Sequence, residues 1–364
     1  MYNSLLVFVL GINTGTSVDG VDLALVKWNA NDLKKFQIIE EASYEIDPTV
    51  KQEIEMLISK QVCSLEAVSN LHYKIGRFLG FIVNEFKKEF PQHQIDLIGM
   101  HGQTVFHGTE SSMQLGNIGL VSKLDGITTV GDFRSGDIAF GGNGAPLTSF
   151  LDDILIRDEG DTKATLNIGG IANITIMNPG EPTLAYDTGP GNTLIDCLMK
   201  KLFQKDYDNN GDIARFGKVN ENFIDALIRK TDYFHKAPPK TTGREFFDEK
   251  FADKFLDLGN KENIIANVSY FTAKTISNEI QKYKLKQIFV AGGGYRNKYL
   301  METMQALNPG VELSSHDGFH INSQYKEAML FSLLAFTSFK DIPNNVPSST
   351  GAKRDTILGV ISKP

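Results

Sequence analysis

The sequence predicts a two-domain α/β protein, and three observations carry that prediction. The chain has 364 residues, more than one ordinary core accommodates. Twice, an apolar strand runs into a glycine-rich turn, a second strand, a third strand and then helices. In the later half, glycine turns also sit directly between strands and helices, the edge at which open α/β sheets bind ligands. The expected domains span 1–135 and 136–340, with the tail 341–364 returning to complete the first.

Composition narrows the function. Hydrophobic residues make up 41% and charged residues 22%, as in well-packed globular proteins. A net charge of −7, with no long run of Lys and Arg, excludes a nucleic-acid-binding face. Cys63 and Cys197 are too few for a disulfide framework and lack metal-ligand spacing. The apolar run Leu5 to Leu10 has no positive residues before it, which reads as a core strand rather than a signal peptide. No stretch approaches a membrane span, so a cytoplasmic location is expected.

In chain order, Leu5 to Ile12 is a continuous apolar strand suited to a sheet covered on both faces. Asn13 to Asp22 is a hydroxyl- and glycine-rich turn, and Leu23 to Trp28 a second strand. Such a turn can cradle a polyphosphate while Asp19 and Asp22 hold Mg²⁺ directly or through water. A plain hairpin turn is the alternative, and the Walker pattern is missing. Phe36 to Ile46 completes a meander, followed by helices over Val50 to Ser59 and Ser64 to Phe90. The strand Leu97 to Met100 leads into His101 to His107, whose two histidines have no acidic partner between them and so suit polar contacts better than zinc. After the strand Ile127 to Val130, the polar stretch Gly131 to Leu147 reads as domain boundary and cleft wall, with Arg134 available to an anionic group; a simple linker is the alternative.

The pattern restarts at Ala164 to Ile168, with the turn Gly169-Gly170 and a returning strand through Thr175. A short strand, Pro182 to Tyr186, then presents Asp187 before Gly189-Pro190-Gly191 and an amphipathic helix, Thr193 to Phe203. Asp187 is there either a catalytic base or a helix cap. Lys240 to Glu245, after a Pro pair, reads as a mobile loop over a ligand or as a solvated loop. A helix over Ile264 to Tyr283 and a strand over Gln287 to Ala291 precede Gly292-Gly293-Gly294, which leave room for a flat ring or a phosphate. Tyr325 to Phe339 is a buried helix, and Thr356 to Ile361 a last strand that closes a sheet.

Nine motifs in this order resemble the anhydro-N-acetylmuramic acid kinases of the actin, hexokinase and sugar-kinase superfamily. They are GINTGTSVDGVD from Gly11, HGQTVFH from His101, GDFRSGDIAFGGNGAPL from Gly131, NIGGIANIT from Asn167, YDTGPGN from Tyr186, KTTGRE from Lys240, AGGGYRN from Ala291, KEAMLF from Lys326 and STGAKR from Ser349. The resemblance implies a two-domain ribonuclease H-like fold. Each domain would be a mixed five-stranded sheet flanked by helices, with the active site in the interdomain cleft. It implies an ATP- and Mg²⁺-dependent reaction that opens the 1,6-anhydro ring with water and phosphorylates O6. The product would be N-acetylmuramic acid 6-phosphate, formed during peptidoglycan recycling, and a homodimer is the expected assembly.

Carried onto these motifs, Asp187 is the expected base. ATP is expected at Gly15, Thr16, Ser17, Val18, Asp19, Gly20, Val21 and Asp22, at Asn167, Gly169 and Gly170, and at Gly292, Gly293, Gly294 and Asn297, with Mg²⁺ near Asp19 and Asp22. Substrate is expected at His101, Gln103, Arg134, Asp137, Gly189, Asn192 and Arg244. The chain departs from the family pattern at Asn13, Thr14, Asn117, Gly136 and Asn143, so a kinase for a different sugar or anhydrosugar is the alternative within enzymes. An actin- or chaperone-like ATPase is the alternative outside metabolic catalysis.

Overall fold

A computed structural model describes residues 6–15, 18, 20–59, 63–108, 110–157, 160–243, 245–315, 321–322 and 324–364. In chain order the first elements are β1 (Leu6–Thr14), β2 (Val21–Asn29), β3 (Gln37–Tyr44), α1 (Pro48–Ser59), α2 (Leu65–Glu89) and β4 (Leu97–Met100). A small hairpin, β5 (Gln103–His107) and β6 (Ser112–Leu115), precedes α3 (Ile118–Asp125), β7 (Thr129–Gly131), α4 (Ser135–Ala139) and α5 (Thr148–Ile156). Next come β8 (Lys163–Ile168), β9 (Ile171–Met177), β10 (Leu184–Pro190), α6 (Thr193–Phe203), α7 (Glu221–Lys230), α8 (Glu249–Ala252) and α9 (Lys261–Lys282). The chain ends with β11 (Gln287–Ala291), α10 (Lys298–Leu307), β12 (Glu312–Ser315), α11 (Lys326–Phe339), α12 (Pro347–Thr350) and β13 (Val360–Ser362). Among the described residues, no helix is long and apolar enough to cross a membrane.

Two compact units result: Met1–Leu155 with Gln324–Pro364, and Ile156–Ser323. These divisions fall later than 135 on one side and earlier than 340 on the other. The stretch Gly131 to Leu147, read from sequence as domain boundary and cleft wall, lies inside the first unit. The reason is Asp137, fully buried, whose carboxylate accepts from the Gly144 amide at 2.9 Å, Asn345 at 3.1 Å and Thr350 at 2.7 Å. Those bonds tie the polar stretch to the C-terminal segment and make it an ordered corner.

In the first unit the strand order is β13-β7-β4-β1-β2-β3, with β1, β2 and β3 antiparallel and β4 and β7 parallel to β1. The second unit repeats that order as β10-β9-β8-β11-β12, with the same directions. Both sheets thus have the ribonuclease H-like pattern, and what is duplicated is topology. The first sheet has six strands instead of the expected five, because β13 pairs antiparallel with β7. Strand β12, short and only partly buried, gives no periodic apolar signal and escapes a sequence reading.

One face of the first sheet is covered by α1 and α2, whose apolar residues meet Leu10, Ile12, Leu23 and Leu25. The other face takes α11, buried from Ala328 to Phe339 and predominantly apolar there, as an enclosed helix must be. Gly11 and Gly99 permit this approach: a Cβ on Gly11 would lie 1.8 Å from the Ala328 carbonyl, and one on Gly99 2.1 Å from that of Phe331. Trp28, fully buried on this face, donates its indole N–H to Ser332 Oγ at 3.1 Å, satisfying the one polar atom that burial would strand.

Candidate functional site

Three glycine turns meet around Ile168 in the second unit. Gly170 accepts from the amides of Gly191 at 2.8 Å and Thr193 at 3.1 Å, and Gly169 accepts from Asn192 at 2.8 Å. A Cβ on Gly191 would sit 2.3 Å from the Gly169 carbonyl. On the other side, a Cβ on Gly292 would lie 2.6 Å from Asn167 Oδ1, and one on Gly294 2.3 Å from Ile168 Cγ2. Gly191 is therefore required for backbone to pack on backbone, Gly294 for Ile168 to pack on it, and Gly292, pressed against both Asn167 Oδ1 and the Ile168 carbonyl, also holds φ +85°, a left-handed conformation. Gly293 differs: its Cβ would touch only Asn192 Nδ2, at 3.7 Å. Of the three glycines in this run it is the one with room above it.

A polar row crosses the same sheet. Asn167 on β8 pairs with Asn173 on β9, which pairs with Asp187 on β10. Cross-strand partners share a face, and in each strand the neighbours Leu166, Ile174 and Tyr186 point into the apolar core. The row therefore lies on the opposite face. Asn173 was missed from sequence, although polar residues alternating with buried Ala172 and Ile174 are the signal that marks it.

Asp187 does not follow the end of its strand, as the sequence reading has it. Strand β10 runs on to Pro190 with a bulge between Asp187 and Gly189, because Gly189 and Pro190 still pair with Ala172 and Ile171. Gly189 has φ +150°, and a Cβ there would meet Phe234 at 2.9 Å. The Asp187 amide donates to the Lys240 carbonyl at 3.0 Å, Tyr233 donates its hydroxyl to the Asp187 carbonyl at 2.6 Å, and the Thr242 amide donates to Asp187 Oδ2 at 2.9 Å. Burial pushes the Asp187 carboxyl up to about 6; the Thr242 hydrogen bond opposes this and the Glu245 charge adds to it. The Thr242 hydroxyl is itself buried without a partner among the described residues. A carboxylate poised near neutrality beside an unused hydroxyl is equipped to take a proton from a bound water.

The first unit gathers a second polar cluster where β1 ends. Asn13, Asp22 and Ser43 form one row across β1, β2 and β3, the counterpart of Asn167, Asn173 and Asp187. Asn13 donates to Glu327 Oε2 at 2.7 Å, at the start of α11. Ser43 donates to Asp22 Oδ1 at 2.5 Å, and Gln324 Nε2 reaches Ser43 Oγ at 2.9 Å. Arg134 donates to the Gly144 carbonyl at 2.7 Å and to His101 Nε2 through Nε at 3.1 Å and Nη2 at 2.9 Å. Because guanidinium only donates, His101 Nε2 accepts and its proton sits on Nδ1, which is buried without a side-chain hydrogen-bond partner among the described residues. Burial foremost, then the Arg134 charge, pushes His101 down to about 3, so it is neutral, stacked 4.5 Å from the Phe331 ring. Burial lowers Arg134 to about 10 while Glu327 supports its charge. Among the described residues three of its five N–H donors are engaged, which leaves two for an anion.

The predicted residues thus divide. Asn167, Gly169, Gly170, Gly189, Asn192, Gly292, Gly293 and Gly294 come together in the second unit with Asp187 on the adjoining strand. His101, Arg134 and Gln103 come together in the first, and fully buried Gln103 places its amide N–H 3.4 Å from the Gly15 carbonyl. Several expectations are corrected. Asp137 is internal, its carboxylate used by its own unit. Val18 and Val21 have side chains in the apolar core, and the Val18 amide is spent on the Gly15 carbonyl at 3.1 Å. Val18 holds φ +55°, unusual for a β-branched residue, so its own backbone is conformationally strained. Asn297 is buried and its Oδ1 caps α10 through the Leu300 amide at 3.1 Å. Lys240 is no part of a solvated loop; its side chain is 2% exposed. Gly15, Gly20 and Asp22 stay in or beside the first turn, while Thr16, Ser17, Asp19 and Arg244 lie outside the described residues. Glu327, close to Arg134 and held by Asn13, is a residue the sequence reading did not select, because it opens a helix whose apolar run dominates the signal.

Comparison with known proteins agrees in kind with this arrangement. The family model described as Anhydro-N-acetylmuramic acid kinase matches residues 7–364. A protein of that name from Pasteurella multocida (strain Pm70) is 36% identical over 366 residues, covering 97% of this chain and 96% of the relative. Another, from Caldanaerobacter subterraneus subsp. tengcongensis, is 34% identical over 390 residues, covering 100% and 98%. A third, from Bacillus cereus (strain AH820), is 34% identical over 380 residues, covering 98% and 99%. With the family matched over nearly the whole chain and the glycine turns and Asp187 in place, this chain belongs to the anhydro-N-acetylmuramic acid kinase family of phosphotransferases.

Proposed function

We propose that Asp187 is the general base of an ATP-dependent kinase reaction on anhydro-N-acetylmuramic acid. Water attacks the anomeric carbon and gives its proton to Asp187. The bond from that carbon to O6 breaks, and O6 takes the γ-phosphoryl group of ATP, leaving ADP and N-acetylmuramic acid 6-phosphate. The observation carrying this reading is the Asp187 carboxylate itself: held by the Thr242 amide, shielded by Tyr233 and the Lys240 segment, and raised to about 6. A base must be ionised, so kcat/KM is expected to fall as pH drops through about 6 and to level off above it. A pH–rate profile flat from 5 to 8 would count against the assignment.

Arg134, with two donors in reserve and a neutral histidine against it, suits the substrate carboxylate. His101 offers its Nδ1 proton to a substrate oxygen. The turn at Gly169-Gly170 and the seat at Gly293 suit the nucleotide. We assign ATP to that seat because Gly293 is the open position of its run. Gly293→Val is then expected to keep the fold and raise the Kd for ATP about tenfold or more, read by calorimetry. Gly292→Val is a poorer probe, since its Cβ would strike Asn167 and Ile168 before any ligand.

Mg²⁺ bound to a nucleotide keeps several waters and takes one or two protein carboxylates, neutralising phosphate charge when bound. Asp22 fits that limited role: it is partly exposed beside the first turn and oriented by Ser43 and Gln324. Among the described residues, no group of three or more His, Cys, Asp or Glu forms a complete metal cage.

A further inference from the structure

The buried ion pair behind Asp187 has no part in the chemistry described so far. Lys240 Nζ lies 3.2 Å from Glu279 Oε1 on α9, with side chains 2% and 9% exposed. Tyr186 donates its hydroxyl to Glu279 Oε2 at 2.9 Å, and Lys282 stands 3.7 Å from the same oxygen. The Lys240 ammonium also sits 5.0 Å over the Tyr233 ring and 5.6 Å over that of Tyr186. Removing two charges from water costs several kcal/mol per ion, and an apolar pair of similar volume is often at least as stable. A pair of this kind contributes little net stability that packing could not supply.

Its position suggests what it does contribute. The same residue that anchors on Glu279 accepts the Asp187 amide with its carbonyl, and two residues later the Thr242 amide grips the Asp187 carboxylate. Tyr233, under the Lys240 ammonium, holds the Asp187 carbonyl. All three hydrogen bonds that fix Asp187 therefore come from groups gathered by one buried cation.

We propose that Lys240, paired with Glu279, is a positioning residue that holds the Thr242 amide against the Asp187 carboxylate. This rests on the reading of Asp187 as the base. Among the described residues, the charged and titratable groups facing Asp187 are Glu245 on the following segment and Tyr233 from the preceding one; Lys240, Glu279, Lys282, Tyr186 and Tyr283 form the layer behind. With the anchor lost, the Thr242 hydrogen bond loosens. It favours the ionised carboxylate, so its loss raises the pH at which Asp187 ionises.

The test uses the full chain and two variants. Lys240→Met removes the cation at similar volume. Lys240→Met combined with Glu279→Gln also removes the stranded anion, so that a folding defect cannot masquerade as the effect. In both, kcat is expected to fall about tenfold or more, as misplacement of a catalytic group does, with KM for ATP unchanged. The acidic limb of kcat/KM is expected to move to higher pH. If the pair is merely structural, the double variant recovers wild-type kcat and limb, and the proposal is overturned. Asp187→Asn, run alongside, separates the two ideas. Loss of turnover there with an unmoved limb in the folded double variant leaves the base assignment standing and removes Lys240 from it. Normal turnover in Asp187→Asn removes the base assignment itself, and the positioning role with it.

Discussion

Asp187→Asn is expected to lower kcat by about two orders of magnitude or more while leaving the fold and ATP affinity unchanged. The amide keeps an oxygen for the Thr242 N–H and the volume of the side chain, so the local bonds survive and only the capacity to accept a proton is lost. The variant also reports on stability, with a defined sign. Burial raises the folded-state pKa of Asp187 to about 6, above its ordinary 3.8. The folded state therefore holds the proton more tightly than the unfolded chain, and stability falls as pH rises across that interval. At pH 8 the wild type carries this cost in full, and the Asn variant does not. It is expected to be at least as stable as wild type in denaturant titration at pH 8, and clearly less active. A variant that lost activity together with stability would instead indicate a structural carboxylate.

Gly11→Val is expected to have the largest effect on stability, about 3 kcal/mol or more, seen as a lower denaturation midpoint. Its Cβ would lie 1.8 Å from the Ala328 carbonyl and 2.7 Å from the Ser332 amide, both backbone atoms inside α11. Neither can yield without moving the helix off β1. The functional consequence follows from what α11 carries: Glu327, bonded to Asn13, and Phe331, stacked on His101. Any surviving folded fraction is expected to bind substrate weakly, since the helix start and the β1 end would separate. By contrast, Gly126→Ala, where a Cβ meets nothing within 4 Å, loses only the ease of its left-handed φ of +67°. A wild-type midpoint for Gly11→Val would refute the packing argument.

Legibility from sequence was uneven in an instructive way. Strands β1, β4 and β11 are mostly apolar runs ending in glycine or polar turns, and their positions could be read within a few residues because a strand enclosed on both faces is apolar along most of its length. The glycine turns were legible for the same local reason, since few other residues tolerate such close approach. Asp137 misled because a carboxylate among glycines looks like a ligand. Its partners Asn345 and Thr350 lie more than two hundred positions away, beyond any local pattern. Lys240 misled likewise: a lysine beside a Pro pair reads as exposed until Glu279, thirty-nine positions on, is brought against it.

What the chain determined by itself is the duplicated order of elements and the kinase family, because these depend on residue type, period and motif order. What only the tertiary structure decided is which polar residues are spent on internal contacts and which polar groups it brings together. It set Asn173 in a row with Asp187, buried Asp137, Val18 and Asn297, and put Lys240 and Glu279 behind Asp187. Such roles follow from burial and from contacts across long stretches of chain, and a charge or an amide takes its meaning from what surrounds it once water has been excluded.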